Sequence, residues 1–297
     1  MIKIGENLMT VALQARPVST TDSPGLTPLT PTIGAEIDGV DLSQPLSPEN
    51  RDFIKAALLR YKVVFFRDQH ALDSQRQAAF AAEFGPLYTH PTTRSDAKVT
   101  PIHKIEPPDP ELFEARKAAG AGLVQAGYHS DTSWRLVPTW GAVLRAINLP
   151  DVGGDTLWVD AGAAYEALKP EQKARLEGLH VTHDFRDALL ASGHDYPIVA
   201  HPIVRKHRET GAAILWVNFT QKPQILGLDR AESNALLTEI LDQYRKPEFQ
   251  VRFKWRPGSV AFWDNRAAVH IAIRDYGDFP RLMDRVLIAD QPLWADL

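Results

Sequence analysis

No cysteine occurs in the 297 residues, and its absence removes disulfides, thiolate zinc sites, iron–sulfur clusters and a thiol nucleophile together. Any bound metal must therefore be held by His, Asp or Glu. A charge excess of one sign is also missing: the formal net charge is -4 at pH 7, so there is no basic surplus of the kind nucleic acid selects. No apolar run approaches the length that spans a bilayer, and the N-terminus lacks the basic-then-apolar pattern of a secretory signal. A cytoplasmic location without a membrane partner is expected. The chain carries no Gly-x-x-x-x-Gly-Lys-Ser/Thr phosphate loop, no Gly-x-Ser-x-Gly elbow and no His-Glu-x-x-His zinc helix.

What is present is a chain with 44% hydrophobic and 24% charged residues, enough to bury a substantial core. Residues 1–27 show no sustained period and read as a flexible N-terminal tail, with one domain over 28–297. After Pro48, Ile54, Ala57, Leu58 and Tyr61 recur at helical spacing, and Val63-Val64-Phe65-Phe66 reads as a buried strand. A second helix is expected from about Asp73 to Phe84. The Pro-rich segment 85–127 is long for a loop and reads as a lid, with a strand only near Val99 to His103. Strands follow at 140–147, 156–159, 179–183, 203–205 and 213–217, with short helices near 161–168 and 171–176. The longest amphipathic helix runs from Asp229 to Tyr244, and strands return at 250–255, 259–263, 269–273 and 282–288. Many short strands with helices at the start and in one late insert predict a mainly β fold with helical decoration, a sandwich or jelly roll.

The chemistry-bearing stretch is Gly127-Tyr128-His129-Ser130-Asp131-Thr132-Ser133-Trp134. In an extended segment His129 and Asp131 share a face, and His270 is the candidate third ligand. Two histidines and one carboxylate with open positions suit a non-haem Fe(II) centre. His270 follows a readable strand, an Asp264-Asn265 turn and a return strand that would aim it inward. The bland reading makes it a core histidine bonded to a carbonyl. Arg281 and Arg285 lie four apart and can share a strand face, where a buried guanidinium requires an anion. A salt bridge to one of the 37 acidic residues is the alternative. The flanking charges of His103 and His207, and the polar surroundings of His180, His183 and His194, suggest ordinary structural roles.

Taken together, Ile33-Gly34-Ala35-Glu36-Ile37-Asp38-Gly39-Val40, Lys62-Val63-Val64-Phe65-Phe66-Arg67-Asp68-Gln69, Gly153-Gly154-Asp155-Thr156-Leu157-Trp158 and Trp263-Asp264-Asn265-Arg266 resemble the taurine dioxygenase family of Fe(II)- and 2-oxoglutarate-dependent oxygenases. The resemblance runs from about Thr30 to Asp290. It implies a double-stranded β-helix with His129, Asp131 and His270 as iron ligands, O2 and 2-oxoglutarate as co-substrates, and Thr156 and Arg281 on the distal carboxylate of 2-oxoglutarate. In members acting on sulfonates and sulfate esters, residues at the positions of His90 and Arg285 bind the anionic head group. Thr93 and Gln125 stand where taurine-specific members place a tyrosine and an asparagine, and the segment after His183-Asp184-Phe185-Arg186 is shorter than theirs. The resemblance thus implies hydroxylation of a small anionic substrate, an alkyl sulfonate or alkyl sulfate ester, by a homo-oligomer. An aryloxyalkanoate is the alternative within the family. A metal- or ligand-binding β-helix protein without turnover, and a zinc hydrolase using the same two histidines and one aspartate, are the alternatives outside it.

Overall fold

The computed structural model describes residues 23–91, 93, 102–105, 127–220 and 222–291. Val63-Val64-Phe65-Phe66 forms a strand buried on both faces, and the two faces belong to different cores. Val64 and Phe66 pack with Ile54, Leu58 and Phe80, while Val63 and Phe65 pack with Trp158, Phe253 and Trp263. Alternation along a strand sends successive side chains to opposite faces, so a layer must cover each side of this sheet.

The larger sheet has eight strands: β1 (Gly25–Pro28), β2 (Ala35–Asp38), β3 (Val63–Phe66), β4 (Leu87–Tyr88), β5 (His103–Ile105), β6 (Gly141–Asn148), β13 (Val260–Asp264) and β15 (Leu282–Ile288). Their spatial order is β1-β2-β3-β13-β6-β15-β4, with β5 also on β15. Facing it is a three-stranded sheet in which β7 (Thr156–Asp160) lies between β12 (Gln250–Phe253) and β14 (Ala268–Ala272). Two smaller pairs complete the strands, β8 (His180–His183) with β9 (Val199–Pro202) and β10 (Val204–Lys206) with β11 (Ala213–Leu215). The chain is thus mainly β with helical decoration.

Helices close the outer faces. The first, α1 (Pro48–Tyr61), begins where Ser47 accepts from the Asn50 N–H with Pro48 at its first position; that satisfies an otherwise unpaired donor. With α2 (Ser74–Ala82), capped by Asp73, it covers the large sheet. Short helices α3 (Ala161–Glu166), α4 (Pro170–Leu176) and α5 (Arg186–Ala191) follow β7 and β8. The longest helix, α6 (Arg230–Tyr244), has the reciprocal Asp229/Glu232 capping box. Its Leu237, Ile240, Leu241 and Tyr244 pack with Val159 and Val269 of the small sheet. No helix among the described residues is long and apolar enough to cross a membrane.

Four features differ from the sequence reading. Strand β1 starts at Gly25, inside the segment that reads as a tail, because Gly25 to Pro28 pairs antiparallel with Ala35 to Asp38. Helix α5 and strands β4 and β9 are unexpected, being too short to establish a period. The expected strand near Val99 to His103 lies partly outside the described residues, and its described part pairs at His103 to Ile105. The Asp264-Asn265 turn does not make a hairpin: β13 pairs with β3 and β6, whereas β14 pairs with β7. The turn carries the chain from one sheet to the other. Most of the segment expected to form a lid lies outside the described residues, as does Gln125.

Between the sheets the packing is largely aromatic. Phe65 stacks on Phe253 at 4.0 Å between ring centroids, and Trp158 meets Trp263 edge-on at 5.6 Å. Parity then fixes which polar side chains enter this space. Thr156 shares a face with Trp158, His270 with Ala268, Arg285 with Met283 and Leu287, and His103 with Ile105; each apolar partner packs into the core between the sheets. The candidate site is therefore built on the interior faces of both sheets.

Candidate active site

His129 and His270 are brought together by the backbone. They form an isolated antiparallel bridge and exchange both hydrogen bonds, His129 N to His270 O at 3.0 Å and His270 N to His129 O at 2.8 Å. Directly opposed residues project to the same face, so the two imidazoles lie 4.2 Å apart between centroids. The His129 Nδ1 hydrogen bonds to the Gly127 carbonyl at 2.9 Å. A carbonyl only accepts, so the proton sits on Nδ1 and the Nε2 lone pair is left for a ligand. Gly127 has φ +71°, and a Cβ there would stand 2.9 Å from Ile271 Cδ1; only glycine places that carbonyl without strain.

Asp131 reaches the site differently from the extended His-x-Asp expected from sequence. It opens a turn, and Asn265 holds it there. The Asn265 Oδ1 accepts from the Asp131 N–H at 2.7 Å, and its Nδ2 donates to the Asp131 carbonyl at 2.7 Å and to the Thr139 carbonyl at 3.0 Å. Thr132, the next residue, has φ +53° and is fixed by the Thr139 N–H donating to its hydroxyl at 2.8 Å. The result places Asp131 Oδ1 4.0 Å from His129 Nε2.

One donor atom from each of His129, Asp131 and His270 lies within 4.8 Å of the others, near enough for small side-chain rotations to bring all three onto one first-row metal ion. Asp131 Oδ2 and His270 Nδ1 are buried and have no hydrogen-bond partner among the described residues. Buried polar atoms left unpaired are costly, and a bound cation would satisfy the carboxylate. Protonation states also fit. Burial holds His270 down to about 3, with His129 next in effect, and burial likewise lowers His129. Burial pushes the Asp131 carboxyl up, yet Arg285 and the two imidazoles outweigh it and leave it below its ordinary value. Neutral imidazoles and an ionised carboxylate are the forms that ligate. The side chain of His129 is 26% exposed against 4% for Asp131, so the centre opens on the His129 side.

One guanidinium group touches this centre and a second lies four residues before it in the chain. Arg285 Nη1 donates to Asp131 Oδ1 in a short contact, while its Nε is buried without a partner among the described residues. Arg281 precedes β15, where a bulge falls between Leu282 and Met283. It is 4% exposed, its Nε donates to the Gly154 carbonyl at 3.0 Å, and its Nη2 has no partner among the described residues. Gly154 lies two residues before Thr156 and has φ +71°; a Cβ there would stand 3.1 Å from Arg281 Cδ. The Thr156 hydroxyl accepts from the Trp255 indole N–H at 3.0 Å, which leaves its own proton free to be donated. His90 is buried with its ring 5.8 Å from that of Trp134 and 5.1 Å from that of His103.

Of the seven residues singled out from sequence, His129, Asp131 and His270 meet at one centre with Arg285 on Asp131, Thr156 projects from the same face of β7 as Trp158, Arg281 lies against Gly154, and His90 lies beside His103 and Trp134. Sequence reasoning overlooks three neighbours. Asn265 reads locally as a turn residue, and Trp255 only as part of a strand. His103 looks ordinary because of its charged flank, yet it pairs with Arg285 across β5 and β15. Alternation alone gives a signal for His103, and it requires knowing the strand partner.

Two packed sheets enclosing a centre of two histidines and one carboxylate define a non-haem metal oxygenase architecture. Residues 25–287 match the model of the "Taurine catabolism dioxygenase TauD, TfdA family", and the chain belongs to that family. An "Alpha-ketoglutarate-dependent sulfate ester dioxygenase" of Pseudomonas putida is 32% identical over 91% of this chain and 91% of its own length. An "Alkylsulfatase" of Acinetobacter baylyi is 30% identical, covering 89% of this chain and 84% of that protein. A "(S)-phenoxypropionate/alpha-ketoglutarate-dioxygenase" of Sphingobium herbicidovorans is 32% identical over 83% of this chain and 88% of that protein. Among solved structures, a taurine dioxygenase from Burkholderia xenovorans superposes with a TM-score of 0.77 at 36% identity, covering 91% of this chain and 92% of that one. AAD-2 in complex with Mn(II) and N-oxalylglycine gives 0.77 at 25% identity over 91% and 98%.

Proposed function

We propose that this protein is an Fe(II)- and 2-oxoglutarate-dependent dioxygenase that hydroxylates a small alkyl sulfonate or alkyl sulfate ester. On this reading the two sheets are the halves of a double-stranded β-helix, and the chain works as a cytoplasmic homo-oligomer. The observation that carries the proposal is the His129, Asp131 and His270 centre accompanied by two guanidinium groups, Arg285 on Asp131 and the buried Arg281 against Gly154. One anion socket serves the co-substrate and the other the substrate.

Arg281 and Thr156 take the distal carboxylate of 2-oxoglutarate. The unpaired Arg281 Nη2 and the Thr156 hydroxyl, with its oxygen already engaged by Trp255, are donors awaiting an acceptor. Arg285 and His90 take the head group of the substrate. When bound, Fe(II) supplies the coupling of O2 reduction to decarboxylation of the keto acid and to oxygen insertion into a substrate C–H bond. The protein orients both anions and keeps water out. One O2, one 2-oxoglutarate and one substrate give succinate, CO2 and a hydroxylated product. When the hydroxylated carbon bears the sulfur group, the product breaks its C–S or C–O bond to give an aldehyde with sulfite or sulfate. An aryloxyalkanoate substrate is the second reading, favoured by the likeness to the phenoxypropionate enzyme; its hydroxylated ether would release a phenol.

The test is anaerobic addition of Fe(II) and then 2-oxoglutarate, watching for a visible charge-transfer band of the chelate, followed by succinate release with sulfonates, alkyl sulfates and aryloxyalkanoates. In Arg281→Ala the loss of a charged hydrogen-bonding site, about 1.5–3 kcal/mol, should weaken 2-oxoglutarate binding roughly 10- to 100-fold. Absence of the band in folded wild-type protein, or an Arg281→Ala titration matching wild type, would overturn the assignment.

A further inference from the structure

We infer that His103 is a specificity-determining residue, the second imidazole of the head-group site, and that it suits the site to a three-oxygen sulfur oxyanion rather than a planar carboxylate. The inference rests on the head-group reading of Arg285 and His90 given above. His103 stands directly opposite Arg285 in the β5–β15 register, and opposed residues on paired strands share a face. Ile105 packs into the core between the sheets, so His103, two residues earlier, projects into the same interior.

Local contacts position the ring. The Thr93 hydroxyl lies 3.2 Å from His103 Nδ1, and Thr93 is itself placed by a turn whose N–H donates to the His90 carbonyl at 2.9 Å. We take the hydroxyl as the donor in this contact, which keeps the imidazole proton on Nε2, the form that offers a donor to an anion. His103 lies beside His90 at 5.1 Å between centroids, and His90 is braced edge-on by Trp134 and Phe185 at 5.8 and 6.1 Å. Burial, reinforced by Arg285, holds His103 down to about 4 and His90 to about 3, so both rings are neutral at neutral pH. The only formal positive charge in the trio is then that of Arg285, whose Nη1 already donates to Asp131, so its buried, unpartnered Nε is the donor left to face the head group.

The geometry matters for chemical class. A carboxylate presents two oxygens in a plane and is satisfied by a forked guanidinium. An R–SO3 group presents three oxygens in a pyramid, and the third needs a donor from another direction. Arg285, His90 and His103 come from β15, from the turn after β4 and from β5, and so supply donors from three elements. Thr93 acts as the positioning residue for His103.

The experiment compares wild type with His103→Leu and His103→Gln, using hexyl sulfate, hexanesulfonate and phenoxyacetate as substrates. In His103→Leu the ratio of kcat/KM for the sulfur oxyanions over phenoxyacetate should fall at least about tenfold, with the change in KM rather than kcat. His103→Gln, which retains an N–H donor, should recover threefold or more of that loss, and it decides the matter if His103→Leu fails to melt cooperatively. The two sulfur arms tell which source the site prefers; a loss in either supports the inference. Ratios within threefold of wild type in both variants would overturn it while leaving the wild-type assignment intact. A wild-type enzyme that turns over neither sulfur oxyanion would sink the head-group reading and this inference with it.

Discussion

Asn265 offers the sharpest perturbation of the centre because it touches no metal, co-substrate or substrate. Its amide makes three buried hydrogen bonds, two of them to the backbone of Asp131, and the residue is fully buried. Asn265→Asp keeps the shape and the acceptor for the Asp131 N–H. It loses the two donations to the Asp131 and Thr139 carbonyls, or retains one if the new carboxyl is protonated. Leaving one or two buried carbonyls unsatisfied costs about 1–3 kcal/mol each, so a stability loss of about 1–6 kcal/mol is expected. Displacing the support of a ligating residue typically weakens metal binding roughly 10- to 100-fold. Mn(II) serves as a redox-silent probe, with the free ion counted by its paramagnetic resonance signal. His207→Leu is the control: it removes the 3.0 Å contact to Asp264 in the same turn without touching Asp131. Its Mn(II) affinity should stay within twofold of wild type. If folded Asn265→Asp also binds Mn(II) within twofold, Asn265 does not place Asp131 and the reasoning fails.

Two further outcomes test the surroundings. Gly154→Ala puts a Cβ at φ +71° and 3.1 Å from Arg281 Cδ; the 2-oxoglutarate concentration needed for half-maximal charge-transfer absorbance should rise about tenfold or more, in line with the Arg281 contact, while Mn(II) binding is retained. Equal 2-oxoglutarate titrations would refute the role of Gly154. The second concerns His183 and His201, whose rings meet edge-on at 5.1 Å. Burial, followed by nearby positive charge, lowers His201 to about 4, and burial followed by His201 lowers His183 well below its ordinary value. The unfolded chain takes up protons on these rings near pH 6.5 and the folded chain does not, so stability is full above that pH and falls toward pH 4. The loss is about 1.4 kcal/mol per pH unit for each ring. Between pH 7.5 and 5.0 the Tm of wild type should drop roughly 4 °C more than that of His201→Gln. Parallel melting curves would show that these rings do not set the acid limit.

How much is legible in the sequence follows from the range of the interactions involved. Helix α6 can be read in advance because its apolar stripe and its Asp229/Glu232 cap are separated by only a few residues. The buried nature of β3 is equally plain, since four consecutive apolar side chains leave no polar face. The identity of the donors is set as well: without cysteine, a redox-metal centre has to use His129, Asp131 and His270 or residues of the same kinds.

Which of those donors meet is decided elsewhere. His129 and His270 converge through a backbone bridge between distant segments, and Asp131 is held by a side chain 134 positions away. Local pattern also fails at the Asp264-Asn265 turn. The turn residues make their hydrogen bonds to Asp131, Thr139 and His207 rather than closing a hairpin, and so the chain changes sheets. His103 misleads because the charges beside it in sequence are not the groups beside it in space; Arg285 becomes its neighbour only when β5 pairs with β15. Sequence thus determined the periodicities, the caps and the available ligand atoms, all set by neighbours along the chain. Tertiary structure decided strand partners and register, because those depend on burying apolar faces of segments that know nothing of one another until they pack.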